Sequence, residues 1–270
     1  MPGEPWLMAS SDAVNPGGPP VMEVHQVHKS FSAVNVLKGV DLSLYAGQVV
    51  GLVGDNGAGK STLIKAMSGI TRPDSGTFRF EGREVEIKDP NAANELGIQT
   101  VHQDLALCDN LDAVQNLFLG RELTGSIFSG FRLKRGDAEK RSREVLKRLR
   151  LDNLALNRNV GAMSGGQRQN IAIARSLLWK PKVVFFDEPT AALSHSAAAG
   201  VGTLIRQLAD EGLAVLVVSH DIHKFVLDVT DRIVVLRLGT VVAEFESKKV
   251  TGEKVVNAMV GGNESVNLSV

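Results

Sequence analysis

Apolar residues recur along this chain in three rhythms, and each rhythm predicts a different element. From Val21 to Gly47 apolar and polar positions alternate (VMEVHQVHKSF, then GVDLSLYAG), the two-residue period of strands joined by turns. The runs Val49–Val53, Val183–Phe186 and Leu213–Val218 do not alternate at all. Strands with no polar face are those buried on both sides of a parallel sheet. Helical spacing follows Lys60 (Leu63, Ile64, Met67) and Gly165 (Ile171, Ala172, Ala174, Leu177, Leu178).

Between these anchors, Thr77–Gly82 reads as a strand ending on glycine, Pro90–Leu96 as a short helix opening on proline, and Ile98–Gln103 as another strand. Ile233–Leu238 and Thr240–Phe245 flank Gly239 as a hairpin, and Lys254–Met259 reads as a short helix. Residues 104–160 change character. There Asp137–Arg150 (DAEKRSREVLKRLR) carries Ala138, Val145, Leu146 and Leu149 on one stripe, with Asp137 as the expected N-cap and basic residues over the rest. The pattern predicts an inserted helical subdomain over about residues 104–165, within one domain covering 21–260. The Pro-, Gly- and Ser-rich residues 1–20 read as a disordered leader without the apolar stretch of a signal peptide, and 261–270 as a frayed tail.

Composition narrows the function classes. The 270 residues are 43% hydrophobic, enough for a well-buried core. The 30 basic and 30 acidic side chains cancel, so no overall field draws the chain to nucleic acid or anionic lipid. The basic stretch Asp137–Arg150 interleaves no aromatics for base stacking and reads as a solvated face. The single cysteine, Cys108, excludes an internal disulfide and reads as a small, at least partly buried apolar residue. No apolar run reaches the roughly 18 residues that would cross a bilayer.

The chemistry gathers around Gly54-Asp55-Asn56-Gly57-Ala58-Gly59-Lys60-Ser61-Thr62, which follows Val53 directly and fits the P-loop pattern GxxxxGK[ST]. Its glycines let backbone N–H groups converge on one point, and the following helix adds its own N-terminal N–H groups and dipole. Lys60 then neutralises β- and γ-phosphates, while the Ser61 hydroxyl holds Mg²⁺. The apolar run from Val183 ends in Asp187-Glu188-Pro189; alternation points the two carboxylates in different directions, so they can take different tasks. Asp187 suits Mg²⁺, and Glu188 suits orienting or deprotonating an attacking water. Ser164-Gly165-Gly166-Gln167 opens a helix and is a second potential anion site. Taken singly, Phe31 reads as a core aromatic, Gln103 as a surface hydrogen-bonder and His220 as a turn or capping residue.

In their order along the chain, GDNGAGKST, Gln103, MSGGQ (163–167), VVFFDEP (183–189) and SHD (219–221) resemble the motifs of the nucleotide-binding subunit of ATP-binding cassette (ABC) transporters, over about Val21 to Val260. The resemblance implies an α/β fold: a P-loop NTPase core of RecA-like type, an N-terminal antiparallel β subdomain and the inserted α-helical subdomain. It makes Phe31 the aromatic that stacks on adenine, Gln103 the sensor of Mg²⁺ and permease, Ser164–Gln167 the signature motif, and His220 the switch histidine. The stretches at 81–98 and 102–122 are similar to cassettes that energise ribose, xylose, fructose or related monosaccharide importers, many of which carry two fused cassettes. Three positions depart from the pattern. Met163 replaces a leucine at nearly constant volume, His102 stands where a tyrosine commonly precedes the glutamine, and Ala191-Ala192-Leu193-Ser194 lacks the usual aspartate.

One copy supplies two incomplete phosphate sites, the P-loop and the Ser164 helix start, so two cassettes are expected to pack head to tail around shared ATP. The implied cofactors are ATP and Mg²⁺. The implied partners are a second cassette, transmembrane permease subunits and an extracytoplasmic sugar-binding protein, with the chain peripheral on the cytoplasmic face of the membrane and no nucleic acid involved. Alternatives are a cassette ATPase for another transport substrate, a soluble cassette acting on nucleic acid or ribosomes, and a nucleotide-sensing scaffold without turnover.

Overall fold

The computed structural model describes residues 18–124, 134–191 and 193–261. Within them the alternating N-terminal segment forms β1 (Met22–Phe31) and β2 (Val34–Leu44), which pair with β4 (Ser75–Phe80) and β5 (Arg83–Val85) in an antiparallel sheet of order β2-β1-β4-β5. The second sheet contains β3 (Val49–Val53), β6 (Ile98–Val101), β7 (Val183–Asp187), β8 (Ala214–Val218), β9 (Arg232–Arg237) and β10 (Thr240–Glu246). Its order is β10-β9-β3-β8-β7-β6, parallel throughout except for the β9–β10 hairpin. The expected leader lies almost wholly outside the described residues, as does the expected tail apart from Gly261.

The continuous apolar runs are explained by two core layers. Val183 and Phe185 of β7 face the layer that holds Leu42, Leu44 and Phe78 of the antiparallel sheet and Leu63, Ile64 and Met67 of α1 (Lys60–Met67). Val184 and Phe186 face the opposite layer, with Ile171, Ala172 and Ala174 of α5 (Gly165–Leu177) and Leu204, Ile205 and Leu208 of α6 (His195–Asp210). Burial on both faces leaves no position for a polar residue until the strand ends. Between β3 and β6 runs α2 (Pro90–Leu96), capped by Asp89.

Among the described residues between β6 and β7 the regular elements are helical, with α3 (Ala113–Leu117) and α4 (Arg135–Arg148) packing against α5. Asn116 is fully buried there, donating to the carbonyls of Cys108, Leu111 and Asp112 and accepting from the Cys108 N–H. Cys108 itself is half-buried. The N-cap of α4 is Lys134 rather than Asp137, and no side chain caps it. In its first turn Arg135 reaches the nearly buried Asp112 carboxylate at 2.6 Å, and Asp137 also sits there, where its charge suits the helix dipole. Beyond β8, one wide helical turn (Ile222–Val226) leads into α7 (Leu227–Val229), and α8 (Gly252–Val260) closes the described chain.

Candidate functional site

Strand register brings the sequence-predicted residues to one rim. Leu52 of β3 stands level with Val218 of β8, Val218 with Asp187 of β7, and Phe186 of β7 with Val101 of β6. The next residues along these strands are therefore the P-loop after Val53, Ser219-His220, Glu188, and His102-Gln103. Strands lie about 4.8 Å apart, so all four loops emerge along a short stretch of the sheet's carboxyl edge.

In the P-loop, Gly54, Gly57 and Gly59 have φ values of 156°, 82° and 109°. Gly59 is the N-cap of α1 and offers no side-chain cap, so the first N–H groups of that helix are left to other acceptors. Lys60 is 8% exposed and its Nζ donates to the carbonyls of Gly54 (2.7 Å) and Asp55 (3.0 Å). Burial lowers its pKa, and the nearby charges of Glu188, Asp187 and Asp55 act the other way.

Asp187 shares the strand parity of Val183 and Phe185, which directs it to the α1 side of the sheet. Its pKa is raised by burial and then by the like charge of Glu188, against the lowering effects of His102, Lys60 and Lys65. A carboxylate so placed gains from any cation brought to it. Half-buried His102 has its pKa lowered by burial, with Asp187 the opposing charge. Among the described residues no cluster of three or more His, Cys, Asp or Glu could hold a metal ion by itself. Asp187 and the Ser61 hydroxyl remain as oxygen donors that could share a cation with a phosphate.

Glu188 leaves the strand with φ at +50°, a left-handed conformation uncommon for a side chain of this type and a known mark of functional strain. Its N–H is held by the Val218 carbonyl at 2.9 Å. His220 Nδ1 lies 2.9 Å from both carboxylate oxygens of Glu188 and hydrogen-bonds Oε1, while Oε2 is buried. The His220 side chain is 68% exposed.

Of the remaining predicted residues, Gln103 follows β6 onto this rim, while Phe31 and Ser164–Gln167 belong to other elements. Phe31 ends β1 with 48% exposure, and Lys29 Nζ stands 5.5 Å from its ring centroid. Gln103 is exposed, because β6 ends at Val101 rather than running on to the glutamine. Ser164 caps α5 in a reciprocal box: its Oγ accepts from Gln167 N at 3.3 Å, and Gln167 Oε1 accepts from Ser164 N at 3.1 Å. Among the described residues no hydrogen bond or ion pair joins Ser164–Gln167 to the P-loop. Met163 is buried in the helical-side core. In the segment Ala191–Ser194, Ala192 lies outside the described residues and Ser194 caps α6.

Sequence reasoning missed Arg175. Its half-buried guanidinium donates to the carbonyls of Leu105 (2.7 Å) and Ala106 (2.8 Å), tying α5 to the segment just after Gln103, and burial lowers its pKa. Backbone carbonyls carry no residue identity, so nothing in the sequence marks this contact.

A family model described as ABC transporter matches residues 37–191. The xylose/arabinose import ATP-binding protein XylG of Sulfolobus acidocaldarius is 42% identical over 239 residues, covering 88% of this chain and 93% of that protein. The fructose import ATP-binding protein FrcA of Rhizobium meliloti is 39% identical, covering 91% and 95%. The ribose import ATP-binding protein RbsA of Caldanaerobacter subterraneus is 37% identical over 90% of this chain but only 48% of its own length. Among solved structures, a nucleotide-free ATP-binding cassette from an ABC transporter superposes with TM-score 0.77 at 26% identity, covering 90% of this chain and 96% of that one. A dimeric cassette in a post-hydrolysis state bound to ADP and Pi gives 0.70 at 27% identity, covering 85% and 100%.

Proposed function

The chain belongs to the ABC transporter family, and from that premise we propose that it hydrolyses ATP to drive uptake of a monosaccharide through partner permease subunits. The observation that carries the proposal is the shared rim, where the ends of three neighbouring strands bring Lys60, Asp187, Glu188 and His220 together near the start of α1. A sugar as cargo is supported by the xylose/arabinose, fructose and ribose import relatives. No helix among the described residues is long and apolar enough to cross a membrane, which suits a peripheral subunit held at the membrane by permeases. A sugar-binding protein on the far side would then supply the cargo.

In this mechanism Phe31 stacks on the adenine, and the P-loop from Gly54 to Thr62 wraps the phosphates with backbone donors. Lys60 exchanges its loop carbonyls for β- and γ-phosphate oxygens, which restores the full charge that burial disfavours. Ser61, Asp187 and Gln103 would hold Mg²⁺, whose chemistry when bound is to neutralise phosphate charge. Glu188 aligns the attacking water through its carboxylate, which His220 holds in place at 2.9 Å. Most of the catalysis is then positioning and charge rather than covalent chemistry. Ser164, Gly165, Gly166 and Gln167 of one cassette close over the ATP of a second, head to tail. Loss of the bridging phosphate opens the pair, and Gln103 passes the motion to the permease.

The test is MgATP turnover by the chain reassembled with its permease and binding protein, titrated with xylose, ribose, fructose and arabinose. Stimulation by one of these sugars is expected. Turnover that ignores all of them but responds to another cargo class would remove the sugar assignment, and stimulation by RNA would point to a different kind of machine.

A further inference from the structure

The loop that grips phosphate is itself gripped from behind. The turn between β9 and β10, Leu238-Gly239, has φ of +48° and +87°, and the Gly239 N–H donates to the Ala58 carbonyl at 3.0 Å. The Gly239 carbonyl in turn accepts from Lys38 N of β2 at 2.9 Å. A hydrogen-bond chain thus runs from β2 through the hairpin tip into the middle of the P-loop.

The space around this chain is closed. A Cβ on Gly239 would stand 2.4 Å from the Val36 carbonyl oxygen, and one on Gly54 would stand 2.1 Å from the Leu236 carbonyl oxygen. On Gly59 it would meet Leu37 Cδ2 at 2.9 Å and the Val36 oxygen at 3.0 Å. Val36–Lys38 and Leu236–Gly239 therefore form a wall on which the loop rests, and only glycines fit against it.

The Ala58–Gly59 peptide gives the contact a chemical consequence. A trans peptide is planar, so its C=O and its following N–H point in opposite directions. Holding the Ala58 carbonyl toward Gly239 therefore aims the Gly59 N–H away from the hairpin, toward the open side of the loop. We infer that Gly239 is a positioning residue for nucleotide phosphate: its N–H fixes the Ala58–Gly59 peptide so that the Gly59 N–H is presented as a phosphate donor. The inference rests on the P-loop being the ATP site proposed above. Gly239 touches no nucleotide; it acts through the loop.

The experiment compares the unmodified full chain with Gly239→Ala and Leu238→Gly, measuring MgATP and MgADP affinity and steady-state hydrolysis. Gly239→Ala is expected to weaken both nucleotides about tenfold and raise KM in step. Its kcat at saturating ATP should stay within about twofold, because a displaced donor affects ground and transition states alike. A variant that is merely less folded would lose kcat at unchanged KM, so that outcome overturns the inference. Leu238→Gly keeps the Gly239 N–H and relieves the left-handed leucine; its affinity should match the unmodified chain within about twofold. An equal loss in Leu238→Gly would overturn the assignment to the Gly239–Ala58 bond.

Should Gly239→Ala fail to fold, amide exchange in the unmodified chain decides. Saturating MgADP is expected to slow exchange of the Gly239 amide at least about tenfold, since a filled loop holds its back wall. P-loop amides protected while Gly239 is unchanged would overturn the inference. If the unmodified chain binds neither nucleotide, the ATP site falls; if it binds both and Gly239→Ala binds equally, only the role of Gly239 falls.

Discussion

Two helix starts in this molecule face the same electrostatic problem and solve it in opposite ways. At α1 the cap is Gly59, which brings no side chain, and the neighbouring charges are compressed: Lys60 is pushed down by burial and Asp187 is pushed up. At α5 the cap is Ser164, and the reciprocal box with Gln167 satisfies both donors locally. The first start is left for a ligand to complete. The second is complete by itself and stays exposed, as the proposed meeting of two half-sites across a dimer requires.

The sharpest way to break this comparison is Glu188→Gln. If Glu188 acts on the attacking water as proposed, the change cuts the α1 side alone, and turnover should fall about 10²- to 10⁴-fold with ATP still bound and ATP-driven pairing retained. Hydrolysis measured under saturating ATP checks the first part, and light scattering with and without ATP checks the second. Retained turnover would take Glu188 out of its role.

Next in size is Lys60→Ala, which strips the cation from the unfinished start and leaves the α5 start untouched. Charged hydrogen bonds are worth about 1.5–3 kcal/mol, so nucleotide affinity by calorimetry should drop roughly 10- to 100-fold. Ser164→Ala makes the opposite cut. Losing a cap costs about 1 kcal/mol of stability, read in denaturant, while nucleotide affinity of the single chain stays unchanged and ATP-driven pairing weakens. A fall in single-chain affinity would show that the two starts are not separate.

The smallest effect is on stability and comes from Asp187→Asn, which should raise Tm slightly. A carboxyl whose folded pKa is raised holds its proton more tightly when folded, so its charged form burdens the fold at neutral pH. The burden disappears as pH falls through the raised value toward that of an ordinary aspartate. The gain for Asn should therefore be greatest near pH 7 and shrink in acid. Because the carboxylate keeps some contact with solvent, it should not exceed about 1 kcal/mol, or about 2 °C. A Tm difference independent of pH would contradict the raised pKa.

How much was legible in advance varies by element. The central strands were readable because burial on both faces forbids polar residues, as the layers around Val183–Phe186 demonstrate. The P-loop was readable because its donors are consecutive. The start of α4 was misread: Asp137 had the right chemistry for a cap, yet the helix begins earlier, at Arg135, which pairs with Asp112, 23 residues before it. His220 was nameable only through family resemblance, since its partner Glu188 is 32 residues away. Gly239 was legible as a hairpin turn but its bond to the P-loop was not, and Arg175 gave no signal, because each acts on backbone atoms.

What the sequence determined by itself was whatever neighbouring residues decide together: the rhythm of burial, the turn-forming glycines, the run of phosphate donors and the acids at a strand's end. Only the tertiary structure decided which strand ends share a rim, that Glu188 is held in a left-handed turn against His220, and that a distant hairpin backs the phosphate loop. Those facts depend on strand order and on contacts to carbonyls and amides, which every residue carries alike and which no local pattern can therefore announce.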